Sequence, residues 1–578
     1  MGRSDYMKTA DLALINGKVL SVDLRKNVTR AEAVAVKDGK ILAVGTSEEI
    51  KKHIGDLTEI VDCGGNTVLP GLADAHCHPS ASANTYAACD LFNVVQETGE
   101  SNESVIQKYV ERLKAYAAAH PDSKVIRGGG WNRAFFNGSN GDHRVPDRHD
   151  LDAICSDRPM VLDSYCLHNI WVNTKALELA GLDADTPEPE TGVIHREADG
   201  MPTGIFEEAT AIEMLKNNLP DYDYTVEEYK EVFRKYQKED ANRYGVTLVC
   251  DAKHTDHARE AYRQMAQDQQ LTLRARGVYT LDNQQPEQDW QAALNRKGKD
   301  DPNDLFQINT IKMFMEGEPC MMEPYSPEIN EVNGNPPDYC GALFWTVEEG
   351  TEYMKKAIEA GFQIHMHSMG SRTTKLCVDC LEEAQKVSNG NDRNVIAHLM
   401  EVRDEDAKRM GQLNIMANCQ PRWMVHDTDV EHFYTPYFGR EHAKRFYPNK
   451  KLLDAGCRVA YGTDFPVTPP PNPFHEIQCA MTRSVFPDAP DYRRFQGKVL
   501  DETERVSLID AIQALTINSA YQNYLEEVTG SIEAGKSAEL VLLDCDLEQL
   551  PAEQIYTVKV ERTYFKGKLV YDGSESIE

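Results

Sequence analysis

Two histidines separated by a single residue, His76 and His78, end an apolar stretch of the sequence that reads GLADAHCH. Alternate residues of a strand point to the same side, so both imidazoles would face one way at the carboxyl end of that strand. Two parallel imidazoles provide half of the ligands that zinc needs. Such a pair is common without a metal, so its meaning depends on what other segments contribute.

Lys312 lies inside another apolar strand, TIKMFMEG. Burying an ammonium group is costly unless a partner compensates for the lost water. One explanation is a salt bridge to a nearby acid. The other is that the amine is deprotonated, takes up CO₂ and becomes a carbamate whose two oxygens bridge two metal ions.

Three more segments end in groups that can bind a metal. QIHMHSMG carries His365 and His367, VIAHLME carries His398, and YGTDFPV carries Asp464. Each of these side chains alone fits an ordinary core or surface residue. Because all of them lie at the ends of apolar strands, their combination predicts one shared metal site.

Eight apolar segments alternate with helical patterns and could position these groups. Thr346-Val-Glu-Glu349 has the pattern of a capping box that opens a helix, which ends near Ala360 before Gly361. Eight strands with crossover helices predict an α/β fold, a (β/α)8 TIM-like barrel, and an open doubly wound sheet is the alternative. The candidate strands are 68–75, 246–252, 272–279, 308–315, 362–367, 394–399, 414–418 and 458–462.

Both ends of the chain show short strands with turn signals such as Asn16-Gly17 and Asp38-Gly39. We expect residues 1–66 and 525–578 to form a small β-sandwich domain beside a barrel of residues 67–524. The gap of roughly 160 residues between the first two strands is too long for an ordinary loop. Residues 80–240 are therefore predicted to be a large insertion after barrel strand 1 that could act as a lid.

Six side chains resemble the binuclear metal site of the amidohydrolase superfamily: His76, His78, Lys312, His367, His398 and Asp464. The wider sequence is similar to the family-3 branch of YtcJ-like proteins, which includes N-substituted formamide deformylases. The motifs of this resemblance follow in order along most of the chain. They are PGLADAHCH, GGGWN, HSMG, Gln420-Pro421, GTDFPV, LTINSA and GSIEAGKSAELVLLD.

The resemblance implies a metal-dependent hydrolase that cleaves a C–N bond in an amide or in an N-formyl or N-acyl amine. Two divalent ions per chain, best taken as Zn²⁺, would be bridged by the lysine carbamate and by a water. His76, His78 and Asp464 would hold one ion, and His367 and His398 the other. Two cations would lower the pKa of the water, and Asp464 would pass its proton to the leaving nitrogen.

The sequence departs from the branch near the expected site, since Glu316 and Ser371 stand where the branch usually has aspartate. His365 is a second imidazole that points the same way as His367. We take Glu316 and His365 as candidates for substrate binding.

Two further candidates for substrate binding, Trp131 and His168, lie in the insertion. Trp131 could line an aromatic pocket with Arg133 and Phe135. Core packing is the alternative interpretation of the aromatic side chains.

The 578-residue chain has 93 acidic and 62 basic residues and a formal net charge of −31. A field of this sign repels nucleic acid and anionic lipid, so we expect a small-molecule substrate and neither of those partners. A homo-oligomer is compatible with the sequence. Scattered cysteines, a polar amino terminus and the lack of a long apolar run predict a cytoplasmic protein. Cys377 and Cys380 share helical spacing with Leu381 and Ala384, which predicts a packed helix face.

Three other functions stay open. A mononuclear deaminase on the same fold would use similar histidines without needing Lys312. A decarboxylase or isomerase would release no amine. A non-catalytic metal-binding sensor or scaffold would keep the barrel without turnover, although unused buried polar groups are costly.

Overall fold

The computed structural model describes residues 9–97, 99–136, 141–189, 192–298, 301, 303–317, 327–332, 336–341, 343–390 and 392–575. The chain divides into two compact units. The first contains the chain up to His78, Arg234–Lys253 and everything from Tyr262 onward. The second contains Pro79–Phe233 and His254–Ala261.

The described residues form four β-sheets. Seven strands come first: β1 (Leu12–Ile15), β2 (Lys18–Val22), β3 (Val28–Ala31), β4 (Ala33–Lys37), β5 (Lys40–Gly45), β6 (Glu59–Asp62) and β7 (Thr67–Pro70). Next are β8 (Leu72–Cys77), β9 (Cys89–Asp90), β10 (Ile126–Trp131), β11 (Met160–Ser164), β12 (Asn169–Val172), β13 (Val193–Arg196) and β14 (Pro202–Glu207). They are followed by β15 (Val246–Asp251), β16 (Arg274–Leu281), β17 (Phe306–Phe314), β18 (Gln363–Ser368), β19 (Val395–His398), β20 (Met416–Cys419) and β21 (Val459–Tyr461). The last are β22 (Leu540–Leu543), β23 (Val560–Phe565) and β24 (Lys568–Asp572).

Eight parallel strands form the predicted barrel sheet, in the order β8, β15, β16, β17, β18, β19, β20 and β21. All eight predicted segments overlap a barrel strand, with bounds that differ by a few residues, but the first needs a correction. The predicted strand 68–75 is two strands, β7 and β8, because the chain changes sheets at Gly71. β7 pairs with β22 in a different sheet. A Cβ atom at Gly71 would lie 2.1 Å from Thr247 Oγ1, so glycine permits this close passage.

The first and last barrel strands meet at their carboxyl ends. Asp464 N donates to His76 O at 2.9 Å, and His78 N donates to Phe465 O at 2.7 Å. A Cβ atom at Gly462 would lie 2.6 Å from both the backbone N and the backbone O of His76. The sheet is therefore a nearly closed TIM-like barrel, as predicted, and the open doubly wound alternative is wrong.

The α-helices follow the barrel strands and occupy part of the second unit. They are Ser47–Lys51, Ala83–Tyr86, Asn102–Ala119, Arg148–Asp152, Thr174–Ala180, Ala209–Lys216, Val226–Tyr236, Asp256–Gln267, Pro286–Arg296, Pro327–Val332, Val347–Glu359, Ser371–Ala384, Asp404–Gln412, Thr435–Phe438, Arg440–Ala443, Asn449–Asp454, Pro473–Thr482, Tyr492–Phe495, Leu508–Leu515 and Ile517–Gln522. Among the described residues, no helix has the length and apolar character to span a membrane.

Two local predictions about helices are confirmed. Thr346 Oγ1 accepts a hydrogen bond from Glu349 N at 3.2 Å, and the Glu349 carboxylate accepts one from Thr346 N, which completes the capping box. Gly361, just after the helix, has a φ of 75°. Cys377 and Cys380 are buried on one face of the helix Ser371–Ala384, so they pack rather than bind a metal.

The second unit contains a six-stranded sheet in the order β13, β14, β12, β11, β10 and β9. The helix Asn102–Ala119 packs its apolar side chains into the same cluster as those of β10 and β11. Sequence patterns did not predict this sheet, since its strands are only two to six residues long. The unit therefore has a core of its own.

Strands from both ends of the chain share one sheet, in the order β24, β23, β22, β7, β2 and β3. A four-stranded sheet in the order β5, β4, β1 and β6 completes this part of the chain. Side chains of both sheets, among them Leu14, Val34, Leu540 and Tyr564, belong to one apolar cluster.

The segment after β20 is anchored to the helix Pro473–Thr482 and to the loop before it. Arg422 N donates to Glu476 Oε2 at 2.9 Å, and the Arg422 guanidinium donates to backbone carbonyls of residues 468–470. Glu476 is fully buried, and burial raises the pKa of its carboxyl to about 8. Glu476 is therefore mostly protonated at neutral pH.

We expect Gly462→Ala to destabilise the barrel, because the added methyl group would overlap the backbone of His76. Overpacking of this kind costs about 1–3 kcal/mol in the free energy of unfolding. Thermal unfolding would show the loss as a lower midpoint. Gly298→Ala is the matched control, since a Cβ atom there meets nothing within 4 Å. Equal stability of the two variants would contradict the close approach.

The buried carboxyl of Glu476 predicts a pH-dependent stability. Its folded pKa, about 8, exceeds the unfolded value of about 4.3, so this group's contribution to stability falls as the pH rises between these values. Glutamine resembles the protonated carboxyl. Glu476→Gln should therefore raise the unfolding temperature relative to wild type more at about pH 9 than at about pH 6. An equal effect at both pH values would show that the carboxyl does not titrate in this way.

Candidate metal centre

His76 and His78 lie at the carboxyl end of β8, with ring centroids 5.4 Å apart. His76 is fully buried, and His78 is almost so. One carboxylate oxygen, Asp464 Oδ1, lies 3.2 Å from His76 Nε2 and 3.1 Å from His78 Nε2. The closure of the barrel thus brings the carboxylate after β21 to the histidines of β8.

The register of β17 and β18 brings a lysine and two histidines to the same side of the sheet. Lys312 is paired with His365, and Phe314 is paired with His367. Lys312 and His365 are fully buried. The Phe314 ring centroid lies 5.0 Å from Lys312 Nζ and 5.6 Å from the His367 ring centroid. The predicted lysine and histidines therefore converge as the sequence spacing indicates.

His398 and Asp464 have left-handed backbone conformations, with φ values of 79° and 57°. Leu399, next to His398, also has a positive φ of 50°. For residues other than glycine this conformation costs roughly 1–2 kcal/mol. Strained residues cluster at functional sites because the surrounding structure has to hold them in place.

His398 lies between the other histidines. Its ring centroid is 4.8 Å from that of His76 and 4.5 Å from that of His367. His76, His398 and Asp464 each offer one ligand atom, and these atoms lie within 4.8 Å of one another. The geometry thus groups His398 with His76 and Asp464 as well as with His367, its expected partner.

The electrostatics of this group fit a divalent cation. Burial lowers the pKa of His76 and of His398 well below the usual value, and nearby basic groups lower it further. Neutral imidazole is the form that binds a metal. His78 Nδ1 is buried without a hydrogen-bond partner among the described residues, and His76 Nε2 makes no hydrogen bond of good geometry although Asp464 Oδ1 lies 3.2 Å away. Such buried atoms are rare and need an explanation, and a bound ion would supply one for His76 Nε2.

The pKa values of Asp464 and Lys312 are also shifted in directions that favour binding of a divalent cation. Burial alone would raise the pKa of Asp464, but the hydrogen bond with His78 and the neighbouring positive charges lower it below its usual value. Burial lowers the pKa of Lys312 to about 8. Asp464 is therefore a carboxylate at neutral pH, and part of the Lys312 population is a neutral amine.

Residues outside the expected ligand set contact two of the imidazoles. His365 Nε2 lies 2.8 Å from His76 Nδ1, and Gln420 Oε1 lies 3.0 Å from His398 Nδ1. Trp423 stacks on the His398 ring at a centroid distance of 5.3 Å. His365 thus contacts His76, a predicted metal ligand, and its own predicted contact with substrate stays untested. Trp423 was not predicted, and for Gln420 the only sequence signal was the Gln-Pro pair.

Glu316 is buried at the start of the helix Ser371–Ala384. Its Oε1 accepts hydrogen bonds from Met369 N and, at 3.3 Å, from Gly370 N. Its Oε2 accepts from Thr373 Oγ1 at 2.6 Å, so the carboxylate ties the turn before the N-cap residue Gly370 to the first turn of the helix. Glu316 Oε1 lies 4.0 Å from His367 Nδ1. Glu316 thus holds the turn that follows a predicted ligand, while its predicted contact with substrate stays untested.

The aromatic candidates of the insertion occupy core positions of the second unit. Trp131 is fully buried, and its indole N–H donates to Leu162 O at 3.0 Å. Phe135 packs against the same apolar cluster. These positions agree with core packing, the alternative interpretation, and substrate binding by Trp131 stays a prediction.

The polar candidates of the insertion are paired with acids. Arg133 Nε donates to Glu207 Oε1 at 2.8 Å. His168 Nδ1 lies 3.2 Å from Glu208 Oε2, and 23% of the His168 side chain is exposed. Substrate binding by His168 stays a prediction.

Comparisons with known proteins agree with this arrangement. The sequence matches the amidohydrolase family over residues 59–571. It is 28% identical to the N-substituted formamide deformylase of Arthrobacter pascens over 98% of this chain and 99% of the relative. It is 27% identical to protein LONG AFTER FAR-RED 3 of Arabidopsis thaliana, over 97% of this chain and 92% of the relative. The fold is similar to that of a metal-dependent hydrolase from Pyrococcus horikoshii, with a TM-score of 0.70 and 22% identity over 94% of this chain and 99% of the other.

The family match extends over the barrel strands and every residue of the candidate metal centre. The sequence motifs, the barrel and the buried histidines therefore lead to the same assignment. The chain belongs to the amidohydrolase family of metal-dependent hydrolases.

Proposed function

We propose that this protein hydrolyses the C–N bond of a small amide, such as an N-formyl or N-acyl amine, with the help of two divalent metal ions. The observation that carries the proposal is the buried cluster of His76, His398 and Asp464, whose ligand atoms lie within 4.8 Å of one another. The cluster lies at the carboxyl ends of the barrel strands, where enzymes of this fold have their active sites. The A. pascens relative is a deformylase of N-substituted formamides, which supports the substrate class.

Imidazole and carboxylate groups of this kind suit zinc best. The side chains that would hold the two ions are His76, His78, Lys312, His367, His398 and Asp464.

Lys312 would take part as a carbamate. Its neutral amine would attack CO₂, form an N–C bond and release one proton, which leaves a carboxylate with two oxygens. The pKa of about 8 supports this step, because only the neutral amine is a nucleophile. The Phe314 ring, whose centroid lies 5.0 Å from Lys312 Nζ, covers one side of the amine.

When bound, divalent ions lower the pKa of water and polarise the carbonyl of the substrate. Asp464, a carboxylate at neutral pH, would accept a proton from the attacking water and donate it to the leaving nitrogen. The C–N bond would break as the nitrogen takes this proton, and the products would be a carboxylic acid and an amine. His78, whose Nε2 lies 3.1 Å from Asp464 Oδ1, would hold an ion beside this carboxylate.

Replacing Lys312 separates the binuclear enzyme from a mononuclear deaminase. We expect Lys312→Ala to retain fewer than two metal ions per chain and to lose amide hydrolysis, because the bridging carboxylate cannot form. Elemental analysis and an amine-release assay measure both effects. Lys230→Ala is the matched control, since Lys230 is another buried lysine, on the helix Val226–Tyr236. A fully active Lys312→Ala enzyme would contradict the binuclear proposal.

Asp464→Asn tests the proposed proton transfer. Asparagine has the same shape but cannot take a proton, and loss of a general acid–base group costs about 100-fold or more in rate. The measurement is amine release from a panel of N-formyl and N-acyl amines, with the metal content of each sample determined in parallel. Asp268→Asn, at an exposed position, is the control. Undiminished turnover in a metal-loaded Asp464→Asn protein would exclude Asp464 as the base, and turnover of wild type without amine release would favour a decarboxylase or isomerase.

A further inference from the structure

A row of buried side-chain amides connects His398 with the backbone of β8. Gln420 Oε1 lies 3.0 Å from His398 Nδ1, and Gln420 Nε2 donates to Asn418 Oδ1 at 2.9 Å. Asn418 Nδ2 in turn donates to Ala75 O at 3.1 Å. Ala75 directly precedes His76, so the row joins one predicted ligand to the strand that carries another.

The backbone carbonyl of Ala75 sets the direction of every hydrogen bond in this row. A carbonyl oxygen can only accept, so Asn418 has to turn its NH₂ group toward Ala75 and its oxygen toward Gln420. Gln420 then has to offer its NH₂ group to Asn418 and its oxygen to His398. Because two acceptors cannot bond to each other, the proton of the neutral imidazole has to be on Nδ1.

A second amide supports the same direction. Gln522 Nε2 donates to Ala75 O at 2.9 Å, and Gln522 Oε1 accepts from Asn418 Nδ2 at 3.0 Å. A flipped Asn418 amide would lose both of its acceptors. Asn418, Gln420 and Gln522 are all at most 1% exposed. Water therefore cannot replace a lost partner, and the wrong orientation would leave buried polar groups unsatisfied.

We propose that the Ala75 carbonyl, Asn418 and Gln420 form an amide relay that fixes the tautomer of His398. The relay keeps the proton on Nδ1 and the lone pair on Nε2, so that Nε2 can bind a metal ion without first moving a proton. Asn418 and Gln420 are thus positioning residues that act through His398. This inference rests on the metal centre proposed above.

Trp423 restrains the orientation of the His398 ring. Trp423 stacks on the imidazole with an angle of 17° between the ring planes. Trp423 Nε1 donates to Thr468 Oγ1 at 2.8 Å, which fixes the indole. The relay therefore acts on an imidazole that is already restrained in its plane.

The test compares two substitutions of Gln420. Gln420→Met removes both the acceptor that faces His398 and the donor that faces Asn418. Gln420→Glu keeps the acceptor, and because a carboxyl buried at this position favours its protonated form, its O–H can still donate to Asn418 Oδ1. Gln363→Met is the matched control, because Gln363 is a buried glutamine of β18 whose Nε2 donates to the backbone carbonyls of Arg393 and Gln522. The first readout is the ¹⁵N spectrum of the metal-free full chain with labelled histidine, in which His398→Gln assigns the signals. The second is the zinc affinity, measured by competition with a chelator.

We expect His398 to carry its proton on Nδ1 in wild type and in Gln420→Glu, and to populate both tautomers in Gln420→Met. Loss of a hydrogen-bond partner of this type weakens metal binding about 10–100-fold. Gln420→Met should show this loss, and both Gln420→Glu and the control should bind zinc like wild type. A purely structural role for Gln420 would instead weaken zinc binding equally in both Gln420 variants.

Two results would overturn the relay: a wild-type His398 protonated on Nε2, or unchanged zinc affinity in Gln420→Met. The wild-type tautomer decides the question even if Gln420→Met fails to fold. If wild type takes up no zinc, the proposed function fails, whereas the spectrum of the metal-free protein still tests the relay.

Discussion

The close approach of Gly462 to the backbone of His76 is the contact on which the candidate site depends. It lets the chain after β21 run along the end of β8, where Asp464 N donates to His76 O. Thr463 reinforces this junction, since its backbone N donates to Asp74 Oδ1 at 2.9 Å. A larger residue at 462 would move Asp464 away from the histidines. Barrel closure and the position of Asp464 beside the histidines therefore depend on the same contact.

Burial is the second constraint, because it sets the charge of each group before any ion binds. It keeps the imidazoles of His76 and His398 neutral and brings the pKa of Lys312 to about 8. Asp464 remains a carboxylate because its hydrogen bond with His78 and the nearby positive charges offset its burial. Neutral imidazoles beside a carboxylate are the forms that bind a divalent cation, so the charges of these side chains fit the candidate metal site.

Local periodicity predicted the barrel strands and the candidate metal-binding groups at their ends, and the family resemblance selected the proposed ligands among them. The two-residue spacing of His76 and His78 indicated that both imidazoles point to the same side of a strand. Lys312 stood out because it lies inside an apolar strand. The carboxyl ends of parallel strands meet at one edge of a sheet, which brings such groups together. Contacts between distant residues left no such pattern. Glu316 accepts from Met369, 53 residues away, and in the second unit β9 (Cys89–Asp90) pairs with β10 (Ile126–Trp131) across a long intervening segment. The division of the predicted strand 68–75 at Gly71 was also not apparent from the sequence, because apolar residues occur on both sides of the glycine.

The central claim is that this set of side chains holds two metal ions, and anomalous X-ray scattering tests it most directly. Crystals of protein purified without chelators would be measured on both sides of the zinc absorption edge. The account predicts two anomalous peaks, one about 2.0–2.2 Å from ligand atoms of His76 and Asp464, and electron density for a carboxyl group on Lys312 Nζ between them. Absence of any peak at these residues, or a single ion beside an unmodified Lys312, would contradict it.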